Sequence, residues 1–253
     1  MLAVSPGRLS PRERLVVALD VDRLDEAERF VKLLANRVGV FKVGPRLFTN
    51  AGSLVFDLIH GFGSGVFLDL KFHDIPASVA AAAREVARQR VKMFTMHALG
   101  GGRMIRAVSE QLMEATLVPG APPPLALAVT ILTSHSELDV RELGFEIPIV
   151  EQVERLARIA VDHGAGGIVA SGHELKRLKA ALPEGTIFVT PGIRDHDEPV
   201  EDQTRVMTAE EAISAGATYV VVGRPIRDSR DPVGSSERIV EQIARACDDA
   251  AAV

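Results

Sequence analysis

A chain of 253 residues with 47% apolar and 25% charged content fits one large α/β domain or two small ones, with ample material for a core. A net charge of −5 and the lack of any basic block argue against a nucleic-acid surface. Cys247 is the only cysteine, which excludes an intramolecular disulfide and a cysteine cage for metal, and no apolar run is long enough to span a bilayer.

Residues 1–14 carry Pro6 and Pro11 and no long apolar core, so they do not read as a secretory signal. They are expected to form a flexible leader, and a cytoplasmic location is the default. From Leu15 onward, short β-rich runs alternate with helix-period stretches. Leu15–Leu19 is a first strand, after which Leu24, Ala27, Phe30, Val31 and Leu34 recur at helical spacing. Gly39 closes that helix and Val40–Val43 is a second strand. A helix through Leu54, Phe56, Leu58 and Ile59 follows. Val66–Leu70 is a third strand, and Ile75, Val79, Ala82, Ala83 and Val86 mark the next helix. Met93–Met96 is a fourth strand, followed by a helix from about Arg103 to Glu114.

Pro119–Pro124 has the composition of a linker, but Leu125–Leu132 resumes the alternation at once, so it reads as a loop. Val150, Val153, Leu156, Ala157 and Ala160 form a further helix. Gly167–Ala170 is a sixth strand, His173–Leu182 a helix and Ile187–Thr190 a seventh strand. Thr208 and Glu211 have the spacing of a capping box. Ala217–Val222 is an eighth strand, and Asp231-Pro232 supplies an N-cap and a first-turn proline for the last helix. Eight strands, each followed by a helix, predict a (β/α)8 barrel over residues 15–253. A doubly wound open sheet is the competitor, but no Gly-x-Gly-x-x-Gly turn follows the first strand.

Barrels of this kind do their chemistry at the C-terminal ends of the strands. The residues found there are Asp20, Lys42, Asp69 with Lys71, Asp74 just beyond, His97, Thr133-Ser134, Arg194 and Gly223-Arg224. Alternation puts Asp69, Lys71 and His73 on one side of the third strand and Leu70 and Phe72 on the other. Asp69 and Lys71 then point into the barrel mouth. A buried structural ion pair is the plain alternative for an Asp-x-Lys. A second lysine, Lys42, and a second acid, Asp74, weigh against it, because such a group would hold its members ionised by mutual pairing. The loops after strands seven and eight read TPGIR and VVGRPI. Each joins a glycine that permits close backbone approach to an arginine able to grip phosphate through paired hydrogen bonds. Asp195–Asp202 suits a mobile lid and an ordinary surface loop equally well. His97 reads first as a structural hydrogen-bonding residue, His73 stays unassigned, and Cys247 reads as an inert helix side chain.

The stretches ALD, FKVG, FLDLKFHDIP, TMHALGG, VTILTS, VTPGIR and VVGRPI occur in order between Leu15 and Ala246. Together they resemble the orotidine 5′-phosphate decarboxylase family of bacterial type. The resemblance implies a (β/α)8 barrel, a homodimer, and a carboxy-lyase that needs neither metal nor organic cofactor. The implied reaction converts orotidine 5′-monophosphate to uridine 5′-monophosphate (UMP) and CO2, the last step of de novo UMP synthesis. By the same resemblance Lys42, Asp69, Lys71 and Asp74 form a charged tetrad, with Lys71 protonating C6 after CO2 is lost. Asp74, with Ile75 and Ser78, is expected to enter the partner subunit's site. Ser78 stands where the family usually has threonine; it keeps the hydroxyl and loses a methyl. Asp20 and Lys42 match ribose contacts, Thr133 the pyrimidine edge, and Arg194, Gln203, Gly223 and Arg224 the phosphate grip.

Two other readings stay open. A Mg²⁺-dependent sugar-phosphate decarboxylase or aldolase of the same superfamily shares the Asp-x-Lys-x-x-Asp arrangement. Such relatives usually lack the Phe-His-Asp-Ile-Pro continuation and the long Arg194–Gln203 segment. A non-catalytic nucleotide-binding barrel would need the phosphate and base contacts but not Lys71 and Asp69. No nucleic-acid or membrane partner is expected.

Overall fold

The computed structural model describes residues 9–114, 122–194 and 207–251. Strands β1 (Leu15–Ala18), β2 (Val40–Val43), β3 (Gly65–Phe72), β4 (Met93–His97), β5 (Leu125–Val129), β6 (Gly167–Val169), β7 (Ile187–Thr190) and β8 (Tyr219–Val222) run parallel in chain order round a closed barrel. β1 closes the ring against β8, with Val16 opposite Val221. The helices are α1 (Pro11–Arg14), α2 (Leu24–Leu34), α3 (Pro45–Ala51), α4 (Leu54–Gly61), α5 (Pro76–Arg88) and α6 (Gly101–Glu114), then α7 (Glu137–Glu142), α8 (Ile149–Asp162), α9 (Leu175–Ala181), α10 (Ala209–Ala215), α11 (Arg224–Arg227) and α12 (Pro232–Ala251).

Each strand is apolar on both faces because one face lines the interior and the other lies under the helices. Val16, Ala18, Val40, Phe67, Met93, Leu127, Ile187, Val189, Tyr219 and Val221 fill the barrel. Their chain neighbours Val17, Phe41, Val66, Leu68, Phe94, Ile168 and Val220 pack outward in the larger core under the helices. Burying a large apolar side chain contributes about 1.5–3 kcal/mol, so both layers favour the same register. α2 buries Ala27, Val31 and Leu34, and α8 buries Val153, Leu156, Ala157 and Ala160, the stripes their sequence period predicts. The capping box holds: Glu211 donates its backbone N–H to Thr208 Oγ1 at 3.2 Å, and Thr208 donates its own to Glu211 Oε2 at 2.8 Å. At the last helix Gly234 N–H donates to Asp231 Oδ1 at 3.0 Å.

The differences lie at the ends of elements. β3 runs on to Phe72, two residues past its expected end, and β5 stops at Val129 as the chain turns toward α7. β1 and β8 are shorter than expected, yet Leu19 N–H still donates to Lys42 O and Thr218 N–H to Phe188 O, so the hydrogen-bonding outlasts the strand geometry. The helix expected over His173–Leu182 starts as a 3₁₀ turn at Gly172–Glu174 and becomes α-helical only from Leu175. α3, α7 and α11 were not predicted; each is too short to show a period.

Residues 9–14, assigned from sequence to a leader, hold the one-turn helix α1 against the lower end of the barrel. Ser10 and Glu13 form a capping box, Arg12 Nη1 donates to Asn36 O at 3.0 Å, and Arg14 Nη1 donates to Thr218 O at 3.3 Å. Residues 1–8 lie outside the described residues. Above α1, the ammonium of Lys92 sits 5.6 Å from the Tyr219 ring centre, and burial pushes the Tyr219 hydroxyl up to about 12. No described helix is long and apolar enough to cross a membrane.

The fold leaves no room for a side chain at Gly167 on β6. A Cβ there would lie 2.6 Å from Ile187 O and 3.0 Å from Leu127 Cδ2. Gly167→Ala should therefore destabilise the barrel by about 1–3 kcal/mol, as overpacking does, read as a lower urea midpoint. An unchanged midpoint would contradict the packing described.

Candidate active site

A cavity of about 690 Å³ opens at the C-terminal ends of the strands, within the usual size for a small-molecule site. Its described wall carries five cations, Lys42, Lys71, Arg194, Arg224 and Arg227, and two carboxylates, Asp20 and Asp69. Thr133, Ser134, Ser171, Gly192 and Gly223 are also on it. The floor is the top interior layer, including Ala18, Phe67, Val189 and Val221.

Asp20, Lys42, Asp69 and Lys71 form a chain of alternating charge. Lys42 Nζ lies 3.1 Å from Asp20 Oδ1 and 3.7 Å from Asp69 Oδ2, while Lys71 Nζ lies 3.0 Å from Asp69 Oδ1. The Asp69 and Lys42 side chains are 14% and 13% exposed, so this pairing is shielded from water. Burial pushes the Asp69 carboxyl up. The Lys42 and Lys71 ammoniums and the hydrogen bonds from Lys71 and Thr95 outweigh burial and hold it below the usual carboxylate range. Asp69 is therefore an anion at neutral pH, and Lys71 has a fixed counter-charge beside it.

The backbone around Lys71 is irregular. Leu68 stands opposite Phe94 and Phe72 opposite Met96, so Asp69, Leu70 and Lys71 together face Thr95 alone. Lys71 takes up the excess with φ 52°, a left-handed conformation costing about 1–3 kcal/mol in a residue with a Cβ. Its N–H, displaced from the ladder, donates to Thr95 Oγ1 at 2.8 Å. The Thr95 hydroxyl in turn donates to Asp69 Oδ1 at 2.9 Å.

Leu70 and Phe72 pack outward as alternation predicts. Asp74 departs from the group: it is exposed, its Oδ1 accepts the Ile75 N–H at 2.6 Å, and it lies with Ser78 in a second depression on the outer side of β3, which Lys71 also borders. Ile75 is 65% exposed beside it. Within one chain, the charged tetrad expected from sequence is thus a triad of Lys42, Asp69 and Lys71.

Thr133, Arg194, Gly223 and Arg224 are all on the cavity wall, and Arg194 is buried. The Arg194 backbone N–H is pinned to Met207 O at 3.1 Å. Gln203 and the segment 195–202 lie outside the described residues. Gly223 brings its backbone close to Asp20; a Cβ there would be 3.8 Å from Asp20 Oδ2.

Sequence reading missed three contributors. Thr95 sits in an apolar run, Met93-Phe-Thr-Met96, and reads as core. Arg46 and Arg227 donate to Asp20 O at 3.3 and 3.2 Å and so hold the loop after β1 from two sides. Each is itself paired, Arg46 with Asp22 and Arg227 with Asp228, but only distance in space reveals their common target. His97 also differs from expectation. Its Nδ1 is buried with no hydrogen-bond partner among the described residues, and its ring packs on His73 at 5.5 Å.

A family model described as "Orotidine 5'-phosphate decarboxylase / HUMPS family" matches residues 13–239. The chain is 48% identical over 238 residues to an orotidine 5′-phosphate decarboxylase of Syntrophotalea carbinolica, covering 94% of this chain and 98% of that one. It is 44% identical over 232 residues to the enzyme of that name from Geobacter sulfurreducens, covering 92% and 96%. The crystal structure of orotidine 5′-phosphate decarboxylase from Lactobacillus acidophilus superposes with a TM-score of 0.81 at 36% identity, covering 90% of this chain and 98% of that one.

Burial, followed by the nearby charges of His73, Lys71 and His135, holds the His97 imidazole below its ordinary value and hence neutral. The unfolded chain takes up that proton near pH ~6.5, so on acidification it binds more protons than the fold and stability falls. The melting temperature should drop from about pH 7 to about pH 5.5, with a shallower slope in His97→Asn. An equal slope in the variant would show that His97 does not carry the effect.

Proposed function

The chain belongs to the orotidine 5′-phosphate decarboxylase / HUMPS family, and we propose that Lys71, paired with Asp69, carries its reaction. That reaction is the decarboxylation of orotidine 5′-monophosphate to UMP and CO2, a carboxy-lyase step of pyrimidine synthesis. The observation that carries the assignment of roles is the charge alternation Lys42–Asp69–Lys71 at the cavity wall, with Asp69 largely shielded from water.

Breaking the bond between C6 and the carboxylate leaves its electron pair in an in-plane orbital on C6, with no π-system to receive it. A cation close to C6 and a proton source are both needed. The Lys71 ammonium supplies both: it stabilises developing charge and then gives C6 a proton, becoming the amine. Asp69 lies near the departing carboxylate, disfavours the bound ground state and keeps Lys71 aimed. Catalysis of this kind calls for a barrier reduction toward the top of the ~8–23 kcal/mol range, more than one ion pair supplies. The remainder comes from binding energy at the remote phosphate, used to align the base.

Asp20 and Lys42 take the ribose hydroxyls, and Thr133 takes the pyrimidine edge. Arg194, Gln203, Gly223 and Arg224 take the phosphate, with residues 195–202 as a lid. The exposed Asp74, the exposed Ile75 and Ser78 support a homodimer in which they complete the site of a second copy. The reaction is assigned to the cytoplasm and proceeds without metal or organic cofactor. The named relatives do not favour the Mg²⁺-dependent alternative.

Loss of orotidylate absorbance should follow addition of the protein at the same rate with and without EDTA. Lys71→Ala should lower that rate by on the order of 10³-fold or more while still binding UMP in calorimetry. Full turnover by that variant would remove Lys71 from its role. For the shared site, mixing inactive Lys71→Ala with inactive Asp74→Ala should restore about a quarter of wild-type activity, since half the dimers are mixed and each has one intact site. No recovery on mixing would argue against the exchange of Asp74.

A further inference from the structure

The bulge in β3 sets three residues against one, and that one residue, Thr95, has its hydroxyl at the junction. Thr95 is 1% exposed, so its hydroxyl has no water to satisfy it and must bond within the protein. A hydroxyl has one proton to give. The Lys71 amide can only donate, so Thr95 Oγ1 accepts from it, at 2.8 Å. The Thr95 proton is therefore directed to Asp69 Oδ1, at 2.9 Å. Asp69 Oδ1 is the same oxygen that meets Lys71 Nζ at 3.0 Å.

These three contacts close a loop. Lys71 is held at its backbone by Thr95 and at its ammonium by Asp69, and Thr95 ties the two holds together. Without the hydroxyl, the left-handed Lys71 keeps its unfavourable φ but loses the acceptor that replaces its ladder partner. Asp69 loses a donor and becomes easier to protonate.

We propose that Thr95 is a positioning residue for the decarboxylation, its hydroxyl fixing the bulged Lys71 backbone and the Asp69 carboxylate as one unit. The role rests on the assignment of Lys71 and Asp69 above. It is distinct from substrate binding, because Thr95 is not on the cavity wall. The direction of the hydroxyl also fits an ionised Asp69, since a proton on Oδ1 would compete with the one from Thr95.

The test compares Thr95→Val, nearly the same shape without the hydroxyl, with Thr95→Ser, which keeps it. Thr95→Val should lower kcat by about 10²-fold, the scale of a 1 Å misplacement of a reacting group, with KM changed by less than about 3-fold. The acid limb of its kcat/KM profile should move to higher pH, because Asp69 has lost a stabilising donor. Thr95→Ser should restore both the rate and the limb. If Thr95→Val does not fold, Thr95→Ala carries the same expectation. A hydroxyl-free variant with wild-type kcat and an unmoved acid limb overturns the proposal, as does a Thr95→Ser variant as impaired as Thr95→Val. Lys71→Ala run alongside separates the two levels. If it is inactive while the hydroxyl-free variant is normal, only the positioning role falls. If it is fully active, the underlying assignment falls as well.

Discussion

A carboxylate held ionised where little water reaches it is the constraint around which this molecule is built. Left alone, Asp69 would take a proton when buried. Two ammoniums prevent that, and each needs an exact origin: Lys42 from the neighbouring strand and Lys71 two residues along the same one. Parallel pairing of β2 with β3 brings Lys42 beside Phe67, one side-chain layer below Asp69, so its long stem can reach up. The closed barrel supplies the rigid register on which those distances depend. Removing either cation would leave the carboxylate with one counter-charge instead of two, and so less firmly ionised.

Much of this was legible in the sequence, and what was missed has a common physical origin. Strand and helix periods are local and repeat several times, so the eight-fold alternation and the inward aim of Asp69 and Lys71 could be read directly. Short helices such as α11 have too few residues to show a period. The left-handed Lys71 is flanked by Leu70 and Phe72, with no glycine to signal it, because its cause is a mismatch with β4 rather than local preference. Thr95 is hidden for the same reason: a β-branched residue in an apolar strand is ordinary core until its opposite neighbour is known. The joint hold of Arg46 and Arg227 on the Asp20 carbonyl joins elements from opposite ends of the chain. Counting residues past the strand moves Asp74 off the face of Lys71, but it does not show that Lys71 borders the depression of Asp74 as well as the main cavity.

The end of β3 is a place where two requirements compete. Regular pleating would keep Lys71 in the ladder and leave its backbone relaxed. The bulge gives up that regularity and lets one short segment present Lys71 to the inner cavity and Asp74 to the outer face. Residues held in unfavourable backbone regions persist only where their surroundings over-determine them. Here the surroundings are the outward packing of Leu70 and Phe72 and the hydroxyl of Thr95.

The composition of the cavity wall also bears on how a ligand arrives. The chain as a whole carries a net charge of −5, yet five cations and two carboxylates line the described mouth. Behind them lies a hydrocarbon floor that cannot screen the field, so field lines leave through the opening. A phosphate dianion that reaches this mouth meets more cations than carboxylates, in contrast to the net charge of the chain as a whole. Encounters there are orientationally biased, phosphate first, before any specific contact forms. The bias extends over roughly a Debye length, about 8 Å at physiological ionic strength, and salt shortens it. The cluster proposed to grip the phosphate also lies on the approach path.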